Sequence, residues 1–219
     1  MKKFTFLIVL LALVVVLTVP ALVTAQDSSV QMTSADVFTH PSQGDVQIVE
    51  GAQATLFTTE AGATMTFRTD LLEDGHVYTA WWVIVNNPEA CSATPCPTSE
   101  ILGNSDLVQT EVTQADGILV SEEGAMEFAG FLAAGDVDAD EAWFGNGFTN
   151  PLGAEIHIVI NDHGSLIPDM AATMLNTYRG GCQDEGLPPP FPPTAISDGE
   201  PGPNTCRLVQ VAVFHQVTD

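Results

Sequence analysis

Val77-Tyr78-Thr79-Ala80-Trp81-Trp82-Val83-Ile84-Val85 decides the fold class. The run is β-branched and aromatic, and both of its alternating faces are apolar. A strand of that kind belongs in the middle of a sheet with cover on both sides. Upstream, Met65, Phe67 and Thr69 alternate with Thr66, Arg68 and Asp70, the pattern of a half-buried strand. Glu73-Asp74-Gly75-His76 lies between the two runs, and Asp-Gly readily takes positive φ. Together they predict a hairpin over residues 64–86.

Further short strands are expected on either side of this hairpin. They are Val46–Val49, Ala54–Thr59, Leu107–Thr113, Ile118–Ser121, Met126–Leu132, Glu155–Asn161 and Arg207–Val217. Ile156, Ile158 and Ile160 share one face of their strand, and Glu155, His157, Val159 and Asn161 the other. Val209, Val211 and Val213 are expected to form the inner face of the last strand. Pro168–Tyr178 is the single helical candidate, with Pro168-Asp169 at its start and Gly180-Gly181 at its end. Many short strands with little helix predict an all-β fold. The expected form is a β-sandwich, jelly-roll or Ig-like, with one short helix and a long disulfide-closed Pro-rich loop; a closed barrel is the alternative.

Lys2 and Lys3 precede an apolar run from Phe4 to Val19, then Pro20 and the small-residue site Val23-Thr24-Ala25. This layout predicts a signal peptide over residues 1–25, a polar lead-in over 26–45 and a single β-rich domain over 46–219. A retained N-terminal anchor is the competing reading, and no later segment is apolar enough to span a membrane. Export places the chain outside the reducing cytosol, in the periplasm or at the cell exterior. Its four cysteines then read as two disulfides. Three pairings can be drawn; Cys91–Cys96 and Cys182–Cys206 are expected because each closes a local, turn-rich loop.

Both lysines fall within residues 1–25. The remainder carries Arg68, Arg179 and Arg207 against 28 carboxylates, a net charge of −25. Phosphate recognition needs clustered basic residues, so nucleic-acid binding is excluded, and an anionic lipid surface would repel the chain. Cations at the acidic surface are the expected small partners; no macromolecular partner can be read from the residues.

The candidate chemistry rests on histidine. Glu155 and His157 lie two apart on one strand face, and imidazole with carboxylate suits zinc or copper. His163 is expected to return toward them through a turn at Asp162-His163-Gly164, and His76 opens the central strand. Glu155, His157, His163 and His76 are therefore the candidate metal ligands, against the plainer reading that each is a hydrogen-bonding edge or turn residue. His215 is expected to be a core or strand-end residue. Asp136-Val137-Asp138-Ala139-Asp140-Glu141 resembles the start of a calcium loop but lacks glycine sixth and glutamate twelfth. The divalent metals in view are thus zinc, copper and calcium.

No nucleophile elbow, zinc-protease motif or phosphate loop occurs. Trp81 and Trp82 point to opposite faces, and Trp143 in an irregular loop is the better ligand contact. The residues favour a non-enzymatic extracellular binding or surface module. The alternative is a small extracellular metal-dependent enzyme or metal-binding protein using His157 and His163.

A surface with a net charge of −25 repels itself in the compact state, and salt screens that repulsion within about 10 Å at 0.1 M. The melting temperature should rise as sodium chloride goes from about 10 mM to about 0.3 M. A flat or falling curve would show that the acidic surface does not burden the fold.

Overall fold

The computed structural model describes residues 30–121, 125–135, 143–183 and 191–215. The expected signal peptide over residues 1–25, the acidic run Asp136–Glu141 and Pro188-Pro189-Pro190 of the Pro-rich loop lie outside the described residues. Eight strands form one antiparallel sheet: β1 (Gln31–Thr39), β2 (Ile48–Thr59), β3 (Gly62–Thr69), β4 (His76–Val85), β5 (Thr110–Leu119), β6 (Met126–Ala133), β7 (Glu155–Ser165) and β8 (Arg207–Phe214). Their order is β5-β4-β7-β8-β1-β2-β3-β6. Hydrogen bonding runs through a single sheet, which curls around one core that draws residues from β1, β2, β3, β4, β6, β7 and β8.

The two edges nearly meet. Asp116 Oδ2 on β5 accepts from the Ala129 N–H on β6 at 3.0 Å, and a Cβ on Gly130 would sit 3.1 Å from the Ala115 carbonyl oxygen. Glycine therefore lets the edges approach where a ladder does not join them.

The expected hairpin over residues 64–86 does not form. β3 pairs with β2 and β6, and β4 pairs with β5 and β7. The local turn is present: Gly75 has φ +75° and the His76 N–H reaches Glu73 O at 3.3 Å. Yet the chain leaves β3 and crosses the seam, so that β6 and β5 lie between the two strands. A strand apolar on both faces is better flanked by β5 and β7, which bury their own faces beside it.

Two further segments differ from the sequence reading. The polar lead-in contributes β1, whose Val37 is fully buried, between β8 and β2. The valine row of β8 is outward, not inward: Ala212 and Phe214 enter the core, whereas Val211 and Val213 face the opposite side. A register shift where β8 pairs with Ile160/Asn161 displaces the alternation, and Val209 does pack against the core.

The helical segment appears as a 3-10 turn at Pro168–Met170 followed by a short α-helix, Ala171–Asn176. That helix is α3 in chain order, after α1 (Thr98–Gly103) and α2 (Ser105–Val108) and before α4 (Pro193–Ile196). Both expected disulfides are present, Cys91–Cys96 and Cys182–Cys206.

A carboxyl group is buried on β5. Glu111 on β5 lies opposite Ile84 and is fully buried. Its Oε2 accepts from the Gly147 N–H at 2.7 Å, while Oε1 has no partner among the described residues. Burial pushes this carboxyl up to about 7, against hydrogen bonds from the Gly147 and Asn146 amides. The folded state then holds a proton that the unfolded chain releases, so stability falls as pH rises from about 4.5 to about 7. Glu111→Gln cannot ionise. It should melt close to wild type near pH 4.5 and several degrees higher above pH 7, with a gap that opens across that window. Parallel melting curves across the range would show that Glu111 does not titrate in the fold.

Candidate functional site

The outer face of β4, β7 and β8 carries an apolar patch. Trp81 and Val83 on β4, Val159 on β7 and Val211 and Val213 on β8 form its floor. Two segments, each adjoining a disulfide, flank this patch. Pro95, Cys96 and Pro97, followed by Ile101 and Leu102 of α1, come from one side; Tyr178 and Phe191 come from the other. Between them lies a cleft of ≈ 280 Å³, lined mostly by carbon. A shallower depression of ≈ 540 Å³ adjoins it across Tyr178, Phe191 and Leu208.

One wall is aromatic. Trp143 stacks on Trp81 with ring centroids 4.8 Å apart and meets Tyr178 edge-on at 4.4 Å. Trp143 is tied down through its backbone: its N–H donates to Val112 O at 2.9 Å, and its carbonyl accepts from Thr194 Oγ1 at 3.1 Å. Trp82 points the opposite way, into the core, as the alternation requires.

The other end of the cleft is polar and built on Glu155, which is buried at the start of β7. Its Oε1 accepts from the Cys96 N–H at 2.7 Å and from His157 Nε2 at 2.6 Å; its Oε2 lies 3.0 Å from His215 Nδ1. Burial pushes the Glu155 carboxyl up, but the hydrogen bonds from His157 and Cys96 and the charge of the two histidines outweigh it, leaving the group below the usual carboxylate range. This carboxylate anchors the first disulfide loop to the sheet and fixes the His157 ring. It faces that ring as a hydrogen-bond acceptor, not as a second ligand beside it. His40, at the end of β1, also lines the cleft. Its Nδ1 accepts from the Ser42 N–H at 3.2 Å, and burial together with nearby His157 drives its pKa down to about 4.

The expected metal ligands are thus divided among three places. Glu155 and His157 stand together at the cleft. His163 does not turn back toward them: it lies within β7, fully buried, with Gly164 at φ +77° beyond it. Its Nδ1 donates to Gly180 O at 2.8 Å, because a carbonyl only accepts. Nε2 therefore accepts, from Thr79 Oγ1 at 2.9 Å and Asn161 Nδ2 at 3.2 Å. Thr79 in turn accepts from Trp81 Nε1 at 2.8 Å, linking the cleft wall to the buried imidazole.

His76 stands elsewhere, 3.0 Å from Asp162 Oδ1 and 3.5 Å from Glu73 Oε2. Arg207 bridges the same two carboxylates at 2.7 and 3.3 Å, so a cation already occupies the middle of this cluster. The two other groupings of metal-type side chains among the described residues each contain disulfide sulfurs, which are not free thiolates. His215 follows β8, exposed, as a strand-end residue paired with Glu155.

Sequence reasoning missed Tyr178 and Phe191. The only signal that could have found them is indirect: Val211 and Val213 repeat the outward apolar pattern of Trp81 and Val83, and such a face needs cover. Comparison with family models, with curated proteins and with solved structures returned no match. Among the described residues no helix is long and apolar enough to cross a membrane.

Burial holds His163 below the usual imidazole range, opposed by its bond to Gly180 and the charge of Asp162. A group whose folded pKa is depressed contributes stability that is lost as pH falls below its unfolded value of 6.5. His163→Ala should therefore cost about 3 kcal/mol in denaturant unfolding at pH 7.5. The gap to wild type should narrow by pH 5, because the variant has no imidazole to charge. A gap that stays constant with pH would mean His163 is not held neutral.

Proposed function

We propose that the protein is a non-enzymatic extracellular binding module that holds a small, uncharged, apolar ligand in the cleft over β4, β7 and β8, using the rolled, barrel-like sheet as a rigid platform. The observation that carries this reading is the outward valine row, Val159, Val211 and Val213, which forms the floor of a cleft walled by aromatic side chains. Apolar floors with aromatic walls and a few placed polar groups are what small-molecule sites consist of. The disulfides suit an oxidising compartment, in line with the export expected from residues 1–25. The charge of −25 beyond residue 25 disfavours an anionic ligand.

A metal-dependent role for the same end of the cleft has one observation in its favour. Glu155 accepts the Nε2–H of His157, the arrangement that commonly orients metal-bound imidazoles, and it leaves Nδ1 for zinc or copper. His40 cannot join through Nε2, which carries the proton once Nδ1 accepts from Ser42. Zinc sites take three or four protein ligands, and the described residues place no such set at His157, so the binding reading is preferred.

The uncharged dye N-phenyl-1-naphthylamine, which fluoresces in apolar surroundings, should bind saturably with one site per chain. Val213→Trp, a change on the half-exposed sheet face, should fill the cleft and remove that signal without lowering the melting temperature by more than a few degrees. Fluorescence that never saturates, or that survives unchanged in a folded Val213→Trp variant, would refute the assignment.

A further inference from the structure

The apolar cleft and the depression beside it share Tyr178, Phe191 and Leu208 in their linings, so one ligand can reach both. Otherwise the linings differ. Three amide side chains, Gln43, Gln183 and Asn204, line the depression together with Arg179 and Arg207, and no carboxylate is among its described lining residues. In a chain with 28 carboxylates and three arginines beyond residue 25, that is a local reversal of composition. Each amide spends its NH2 group on the protein. Gln43 Nε2 donates to Leu208 O at 2.7 Å, Gln183 Nε2 to Pro203 O at 2.9 Å, and Asn204 Nδ2 to His163 O and Ser165 O at 2.8 Å each. Carbonyls only accept, so these bonds fix which end of each amide is engaged. Each has its carbonyl oxygen left to offer, without a hydrogen-bond partner among the described residues. The same bonds set the three amides along one strip of chain: Gln183 at Pro203, Asn204 next to it and Gln43 at Leu208. Arg207, in that strip, directs Nε to Asp162 and Nη2 to Glu73 and has Nη1 left as a donor.

We propose that the ligand is an uncharged amphiphile of the alkyl glycoside class, with its apolar body in the cleft and its polyhydroxyl head in the depression. This inference rests on the cleft being the binding site and adds the head that lies beyond it. A hydroxyl both donates and accepts. Several on one ring can donate to the amide oxygens along the strip and accept from Arg207 Nη1. A carboxylate or sulfate head offers only lone pairs. It would set them against three acceptor oxygens in the field of a strongly acidic protein. An ammonium head offers only donors and would stand beside two guanidinium groups with no lining carboxylate to offset them. A hydrocarbon without a head fills the cleft and leaves the depression to water. Between the two spaces stand Tyr178 and Phe191, with ring centroids 6.0 Å apart, a flat apolar ridge for the junction of body and head.

Calorimetric titration of the full chain with four molecules that share one octyl tail tests the inference: octyl β-D-glucoside, 1-octanol, octanoate and octylammonium, each below the concentration at which it forms micelles. The glucoside should bind about tenfold tighter than 1-octanol, and both charged compounds should bind more weakly than the glucoside. Gln43 and Gln183 are exposed, so the double variant Gln43→Ala with Gln183→Ala should bring the glucoside down to the level of 1-octanol and leave 1-octanol binding in place. If that variant fails to fold, the order of the four compounds on the wild type decides. Equal binding of the glucoside and 1-octanol would overturn the head assignment while leaving the cleft intact. Tightest binding of octanoate or octylammonium would overturn the uncharged head. No binding of any of the four would overturn the cleft reading with it.

Discussion

Everything in this structure follows from a sheet centre that is apolar on both sides. Along β7, Ile156, Ile158 and Ile160 point into the core, and Val159 between them points out; β4 repeats the pattern with Trp82 and Ile84 inside and Trp81 and Val83 outside. Removing apolar area from water is worth roughly 25 cal/mol per Å², so neither face can be left bare without cost. Curling the sheet buries the inner face. Among the described residues no second sheet covers the outer face, and segments adjoining the two disulfides flank it instead. Loops cover a surface less completely than strands do, and the gap they leave is the cleft.

The same economy of cover governs charge. A chain this acidic has few cations with which to neutralise buried carboxylates. Asp162 receives Arg207, His76 and the Gly164 N–H, and Glu155 receives His157, His215 and the Cys96 N–H. Both are satisfied by several donors, as buried charge demands. Glu111 is not: one of its oxygens has no partner among the described residues, and its carboxyl responds by holding its proton. Glu155 has a second consequence. By accepting from Cys96 it sets where the first loop lies, and by accepting from His157 it sets which nitrogen faces the cleft.

Strand content and cysteine pairing were legible because both are local: two-residue periodicity marks β7, and turn-rich spacing marks Cys91–Cys96 and Cys182–Cys206. Partner choice was not. The Asp74-Gly75 turn forms, but it turns the chain across the seam and not back onto β3, since pairing is decided by which long-range neighbours bury the faces of β4. The lead-in hid β1 because its alternation of exposed Met32, Ser34 and Asp36 with Thr33, Ala35 and Val37 is masked by polar composition. On β8 a single register shift moved Val211 and Val213 to the outer face, which no reading of alternation alone can foresee. His163 looked like a turn residue because Gly164 follows it; a bulge accommodates that glycine inside the strand.

The central claim is that ligand sits on the outer face of the sheet and not within the core, and β7 with β8 contains its own control. Methyl-resolved NMR during titration with N-phenyl-1-naphthylamine reads both faces in one experiment. Shifts should concentrate at Val159, Val211 and Val213, while Ile156, Ile158 and Ile160, on the other side of the same sheet, stay in place. Movement centred on the isoleucines, or spread evenly over both faces, would contradict the account.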